Sequence, residues 1–161
     1  IRYLRLEKIK AIGFSFGGDV LFQLALLNSS IIESMVTIGS IGTWKINDYP
    51  EIENSFTYEN IGNFPWLRTF HSNENQIYCL FEQFKNYDIE LTTKELERIR
   101  TKILIVLGDN DNSIPLKEVV RVRKYLPKSN LCILPNVSHG AHEGENKEDF
   151  IKISKAFLSK S

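Results

Sequence analysis

A chain that runs Ile9-Lys10-Ala11-Ile12-Gly13 straight into Phe14-Ser15-Phe16-Gly17-Gly18, and then into the apolar stretch Val20 to Leu27, has few ways to fold. The first five residues read as a short strand. The last eight are apolar on nearly every side and read as a helix buried on most faces. Between them the chain must reverse sharply, and glycines at 13 and 17 let helix and strand backbones approach closely. Ser15 then stands at the tip of a strained turn above the carboxyl end of a sheet. It also lies at a helix N-terminus, whose dipole favours negative charge developing nearby. A glycine-rich turn with a capping serine would look the same in isolation. The strand before and the apolar helix after give the pattern its weight.

The rest of the chain decides what kind of sheet this unit enters. Residues 35–39 read as a second strand. Residues 102–107, Lys-Ile-Leu-Ile-Val-Leu, read as a third, and the unbroken apolar run predicts burial on both faces, as in a parallel sheet. Residues 131–134 make a fourth. Helices are predicted over the short charged segment 94–100 and over 116–126, with Leu116, Val119, Val120 and Leu126 on one side. A final helix starts from Asn146 as N-cap and faces Phe150, Ile153, Phe157 and Leu158 inward. Residues 1–8, with apolar Ile1, Leu4 and Leu6, look like the last turns of an amphipathic helix. Such alternation argues for an α/β fold, a parallel sheet with helices on both faces.

From about Ile41 to Glu95 the rhythm lapses. This third of the chain holds 11 of the 18 aromatic residues, and a structureless loop of that length is rare in a compact domain. The expectation is an inserted, mainly helical cap over 41–95, dividing a core made of 1–40 and 96–161. Most of its aromatics should be packing. Where they line an apolar pocket, Trp44, Phe64, Trp66 and Phe81 are the first candidates.

A serine hydroxyl needs a base, and the base needs an orienting acid. Strand 102–107 ends in Gly108-Asp109-Asn110-Asp111-Asn112-Ser113-Ile114-Pro115, so an acid leaves the sheet edge that holds Ser15. Strand 131–134 ends in Pro135-Asn136-Val137-Ser138-His139-Gly140 and delivers an imidazole to the same edge. The order serine, aspartate, histidine differs from those of chymotrypsin-like and subtilisin-like proteases.

With these three motifs in order, the sequence resembles the α/β-hydrolase superfamily over essentially all of its 161 residues, from the helix before the nucleophile strand to the C-terminus. Within it the chain looks most like small cap-bearing esterases and valacyclovir-hydrolase-like enzymes. The resemblance implies Ser15 as nucleophile and His139 as general base. It implies Asp111 as the acid, with Asp109 the rival, because the family's pattern is Gly-x-x-Asp followed shortly by a proline. Asp109 would then hydrogen-bond loop amides. The implied reaction is cofactor-free hydrolysis of a small, fairly apolar ester or related acyl compound through an acyl-enzyme on Ser15. The backbone N–H of Phe16 would be one oxyanion donor. The family also has more strands than the four supplied here, and a His-Gly loop, source of the second oxyanion donor, that this chain lacks. Segment 9–13 would then be an unpaired apolar edge, open to a missing N-terminal portion or to a second copy. A non-catalytic binding module of the same fold, or an inactive fragment needing its N-terminal portion, are the rivals.

Other residues take plainer roles. His142 belongs on the loop surface or at a pocket rim, and His71 in the cap has no evident partner. A His139–His142 metal pair lacks carboxylate or thiolate company, so no metal is expected. Cys79 and Cys132, far apart and without CxxC spacing, read as reduced, buried thiols of a cytoplasmic protein. Arg121, Arg123 and Lys124 read as a solvated helix face. Twenty basic residues against 20 acidic ones leave a formal net charge of zero, which gives no electrostatic reason to expect nucleic acid or an anionic membrane as partner. No apolar run approaches the roughly 20 residues of a spanning helix. The partner expected is a small-molecule substrate. The chain opens at Ile1 and its only methionine is Met35, so a natural start is expected upstream, removed by processing or part of a longer protein.

Overall fold

Strand β1 (Ile9–Phe14) ends where Ser15 turns the chain into α1 (Phe16–Leu27). Strand β2 (Ile32–Ile38) follows and runs parallel to β1, with Gly13 opposite Thr37 and Phe14 opposite Ile38. The chain continues through β3 (Thr43–Lys45), α2 (Pro50–Ser55), α3 (Leu67–Phe70), α4 (Glu74–Phe84), β4 (Asp88–Glu90) and α5 (Thr93–Arg98). It returns as β5 (Lys102–Gly108), α6 (Leu116–Arg123), β6 (Ser129–Leu134) and α7 (Lys147–Leu158). This computed structural model describes every residue except Ile1, Arg2, Leu4, Ser29 and Ser161.

Four strands pair in the order β1-β2-β5-β6, every neighbour parallel. Parallel pairing puts all four carboxyl ends at one edge, and that collects the loops bearing the chemistry. Strand β5, flanked on both sides, is buried from Ile103 through Leu107, as its apolar run predicted. Val36, Ile38, Leu104 and Val106 pack with Leu134, Val137, Ala141 and Phe150, and Ile153, Phe157 and Leu158 of α7 close over them. Met35 and Thr37 alternate with these along β2, so they point the other way, and they are equally buried. Helix α1 packs on β1 and β2 and buries Phe22 and Ala25. Helices therefore cover both faces of a parallel sheet.

Several local expectations change. The described residues among the first eight form turns and bends, not a helix, and Tyr3 and Leu6 are exposed; Ile1 and Leu4 lie outside the described residues. With Tyr3 and Leu6 exposed, their burial does not offset the cost of helix nucleation there. Helix α1 is not buried on most faces: it packs on β1, β2 and α5, and Val20 and Leu27 are left exposed. On α6, Leu116 and Val120 are exposed while Val119 and Val122 are buried on one face, and Leu126, past the end of the helix, is buried as well. Asn146 precedes α7 but makes no side-chain cap; a 3-10 turn over Gly144–Asn146 leads into the helix instead. Cys79 is exposed and not buried. It sits midway between Ile77 and Phe81, which take the buried face of α4, and so points away from it.

Two compact units divide the chain: 1–43 with 91–161, and 44–90. The flanks 41–43 and 91–95 thus belong with the larger unit, where Ile41 and Leu91 are buried and Leu91 N–H donates to the Gly42 carbonyl at 3.1 Å. The smaller unit carries short helices and the two-stranded pairing of β3 with β4. Leu67, Ile77 and Phe81 are its buried centre, with Phe56, Tyr58, Ile61, Phe64 and Leu80 packed around them.

Candidate active site

Four backbone bonds continue the sheet's ladder past its carboxyl edge and fix the loops there. Ser15 N–H donates to the Ile38 carbonyl (2.8 Å), Gly39 N–H to Val106 (3.1 Å), Asp109 N–H to Leu134 (3.0 Å) and Asn110 N–H to Val137 (2.9 Å). The loops after β1, β2, β5 and β6 are therefore tied in series. Ser15 sits at φ +49°, a conformation unusual for a residue with a side chain, at the single step between β1 and α1. Gly13 makes that step sterically possible. A Cβ there would lie 2.5 Å from the Gly17 carbonyl oxygen, so any larger residue would push strand and helix apart.

On this frame three side chains form one hydrogen-bonded chain. His139 Nε2 lies 2.9 Å from Ser15 Oγ, and His139 Nδ1 lies 2.9 Å from Asp111 Oδ2. The Asp111 side chain is fully buried, whereas that of His139 is 30% exposed. Its second oxygen, Oδ1, accepts from the backbone N–H groups of Ser113 (2.8 Å) and Ile114 (3.1 Å). The carboxylate is thus held in one orientation with Oδ2 turned to the imidazole. An acceptor at Nδ1 selects the tautomer that carries its proton there and leaves Nε2 as a base toward the serine hydroxyl. Asp109, the alternative acid, is exposed and points elsewhere; its Oδ1 accepts from Val137 N–H at 3.2 Å and joins the two loops.

The remaining candidates have surroundings of their own. Phe16 is the first residue of α1 and its ring is exposed. Trp44 is buried and stacked on Tyr49, with Phe84 and Tyr87 tilted against it. Phe81 is 0% exposed and surrounded by Phe56, Tyr58 and Phe64. Trp44 and Phe81 are thus packing of the smaller unit, Phe64 is half-buried in the same cluster, and Trp66 is 51% exposed. His142 is half-buried against Phe14, whose ring also contacts His139. Among the described residues, no group of three or more His, Cys, Asp or Glu is arranged to hold a metal ion, and no helix is long and apolar enough to cross a membrane.

Two residues near this site escaped sequence reasoning. Asp19 is buried in the first turn of α1, and Gly39 lies against His139. A signal for Asp19 existed: it is the one charged residue in a largely apolar helix.

Solved structures share this architecture. An alpha/beta hydrolase enzyme from a Medee basin deep-sea metagenome library matches with a TM-score of 0.71 at 16% identity, over 99% of this chain and 68% of that one. The meta-cleavage product hydrolase from Pseudomonas fluorescens matches with a TM-score of 0.74 at 16% identity, over 98% of this chain and 66% of that one. The fold is therefore the α/β-hydrolase fold, in its C-terminal portion. Among curated proteins, the Homo sapiens serine hydrolase BPHL is 25% identical over 173 residues, which take in 98% of this chain. The chain spans 57% of that relative's length. Over residues 2–155 the sequence matches the family described as BAAT / Acyl-CoA thioester hydrolase C terminal, and the chain belongs to that family.

Proposed function

We propose that this chain carries the nucleophile, base and acid of a serine hydrolase that cleaves a small, fairly apolar ester or related acyl compound. The observation that carries the reading is the unbroken chain Ser15 Oγ, His139, Asp111, with both links at 2.9 Å. In the proposed cycle Nε2 of His139 takes the Ser15 proton as Oγ attacks the substrate carbonyl. The tetrahedral oxyanion forms at the N-terminus of α1, where Phe16 N–H is one donor. Collapse expels the leaving group, which takes the proton from His139, and leaves an acyl group on Ser15. Water, deprotonated by His139, then releases the acid and restores the serine. Asp111 stabilises the imidazolium in both halves and stays ionised.

The family's description names an acyl-CoA thioester hydrolase, and one structural neighbour is a meta-cleavage product hydrolase. For this chain the proposed chemistry is serine attack on an acyl carbonyl. Substrate choice is assigned to the smaller unit, with Trp66 its most exposed ring among the candidates. The cytoplasm suits two cysteines that are both free. A second reading, a binding partner for an N-terminal portion or for another copy, is favoured by the apolar side chains bared along β1 and the start of α1.

A fluorophosphonate probe followed by peptide mass analysis tests the first reading. Covalent label on Ser15, lost in Ser15→Ala and His139→Ala, is the expected result. A folded chain that takes no label would overturn it in favour of the second.

A further inference from the structure

Building on the serine-hydrolase reading, we infer that Asp19 is a positioning residue: it anchors the turn after β2 and, through that turn, seats the His139 ring beside Ser15. Asp19 is only 5% exposed, in the first turn of α1. A carboxylate withdrawn from water needs strong donors. Its Oδ1 accepts from the hydroxyl of Ser40, itself buried, and from the backbone N–H of Gly42 at 3.1 Å. Both donors belong to the segment that leaves the carboxyl end of β2.

Gly39, next to Ser40, is where that segment meets the imidazole. Its φ is +55°, and a Cβ built there would lie 2.6 Å from Cε1 and 2.7 Å from Nδ1 of His139, and 3.3 Å from Oδ2 of Asp111. The bare backbone at 39 is thus a wall against which ring and carboxylate rest. The contacts close a circuit. Ser15 O accepts from Asp19 N–H (3.3 Å), Asp19 holds Ser40, Gly39 abuts His139, and His139 Nε2 returns to Ser15 Oγ at 2.9 Å. Releasing Ser40 would let the wall drift and the ring with it. A misplacement of about 1 Å at a reacting pair costs on the order of 10²-fold. In this role Asp19 acts through the 39–42 backbone.

The test follows two signals in the full chain: the His139 Cε1–H resonance across a pH titration, and the rate of fluorophosphonate labelling per folded molecule. The variants are Asp19→Asn, Ser40→Ala and the two combined. Val122→Ala, which opens a cavity under α6 at a fully buried position, is the destabilised control. Both single variants should move the His139 resonance and its titration and slow labelling by about tenfold. The combined variant should be no slower than the slower single, because both break one link. Val122→Ala should lower the melting temperature and leave both signals in place. If Asp19→Asn does not fold, Ser40→Ala, which keeps the carboxylate, decides alone. An unchanged His139 titration in the folded variants, or losses that multiply in the combined one, would overturn the role given to Asp19. A wild-type chain that leaves Ser15 unlabelled counts against the hydrolase reading only, since the His139 resonance still reports whether Asp19 seats the ring.

Discussion

Ser15 holds a backbone conformation that costs a non-glycine residue on the order of 1–3 kcal/mol, and it persists because its N–H is tied to Ile38 and the helix begins at the next residue. Asp111 is constrained as tightly, with Oδ1 occupied by two N–H groups and Oδ2 by the imidazole. These constraints make the two aspartates separable by experiment. In Asp111→Asn, keeping an acceptor toward Ser113 and Ile114 turns the amide N–H₂ toward Nδ1. That forces the imidazole proton onto Nε2, where it can no longer accept from Ser15. The fold should survive while ester turnover or probe labelling falls by on the order of 10⁴-fold. Asp109→Asn retains an oxygen for Val137 N–H and should change either rate by no more than a few-fold. Equal losses at 109 and 111, measured by p-nitrophenyl acetate turnover, would reverse the assignment of the acid.

Among the elements, α5 shows how a very short helix is held. Its N-cap Thr92 accepts from Glu95 N–H, while the Glu95 carboxylate accepts from both the N–H and the hydroxyl of Thr92. Thr92→Ala should therefore cost about 1 kcal/mol in urea melts. Those bonds, the backbone N–H of Thr92 first and its hydroxyl second, hold the Glu95 carboxyl below its ordinary 4.5. Because the folded value is the lower one, this contribution is complete above the ordinary value and fades as pH falls through the folded one. The gap between wild type and Thr92→Ala should accordingly be widest near neutral pH and narrow in acid. A gap that did not narrow on acidification would show that the Glu95 charge plays no part in it.

At the scale of the whole molecule, β1 is the edge of the four-stranded sheet, with Ile12 53% exposed and Phe14 and Phe16 bared beside it. An unpaired apolar edge is a template for another strand. The chain should associate as its concentration rises, and Ile12→Lys, which puts a charge on that outward face of β1, should reduce light scattering without disturbing the Ser15–His139 distance. Equal scattering from both would locate the association elsewhere. What the sequence alone determined was local or cumulative. The turn at Ser15, the double burial of β5, the parallel alternation and the inward face of α7 all follow from periodicity and from which residues tolerate a sharp reversal. The order of serine, aspartate and histidine loops could be read the same way, because parallel strands bring every such loop to one edge. Only tertiary structure decided which oxygen of Asp111 meets His139, why Asp19 is buried, and that Gly39 backs the imidazole. It also decided that Trp44 and Phe81 pack among neighbouring rings, and that Val20 and Val120 face outward. Those outcomes depend on contacts between segments far apart in the chain, and apolar character alone does not say which neighbour a side chain will find.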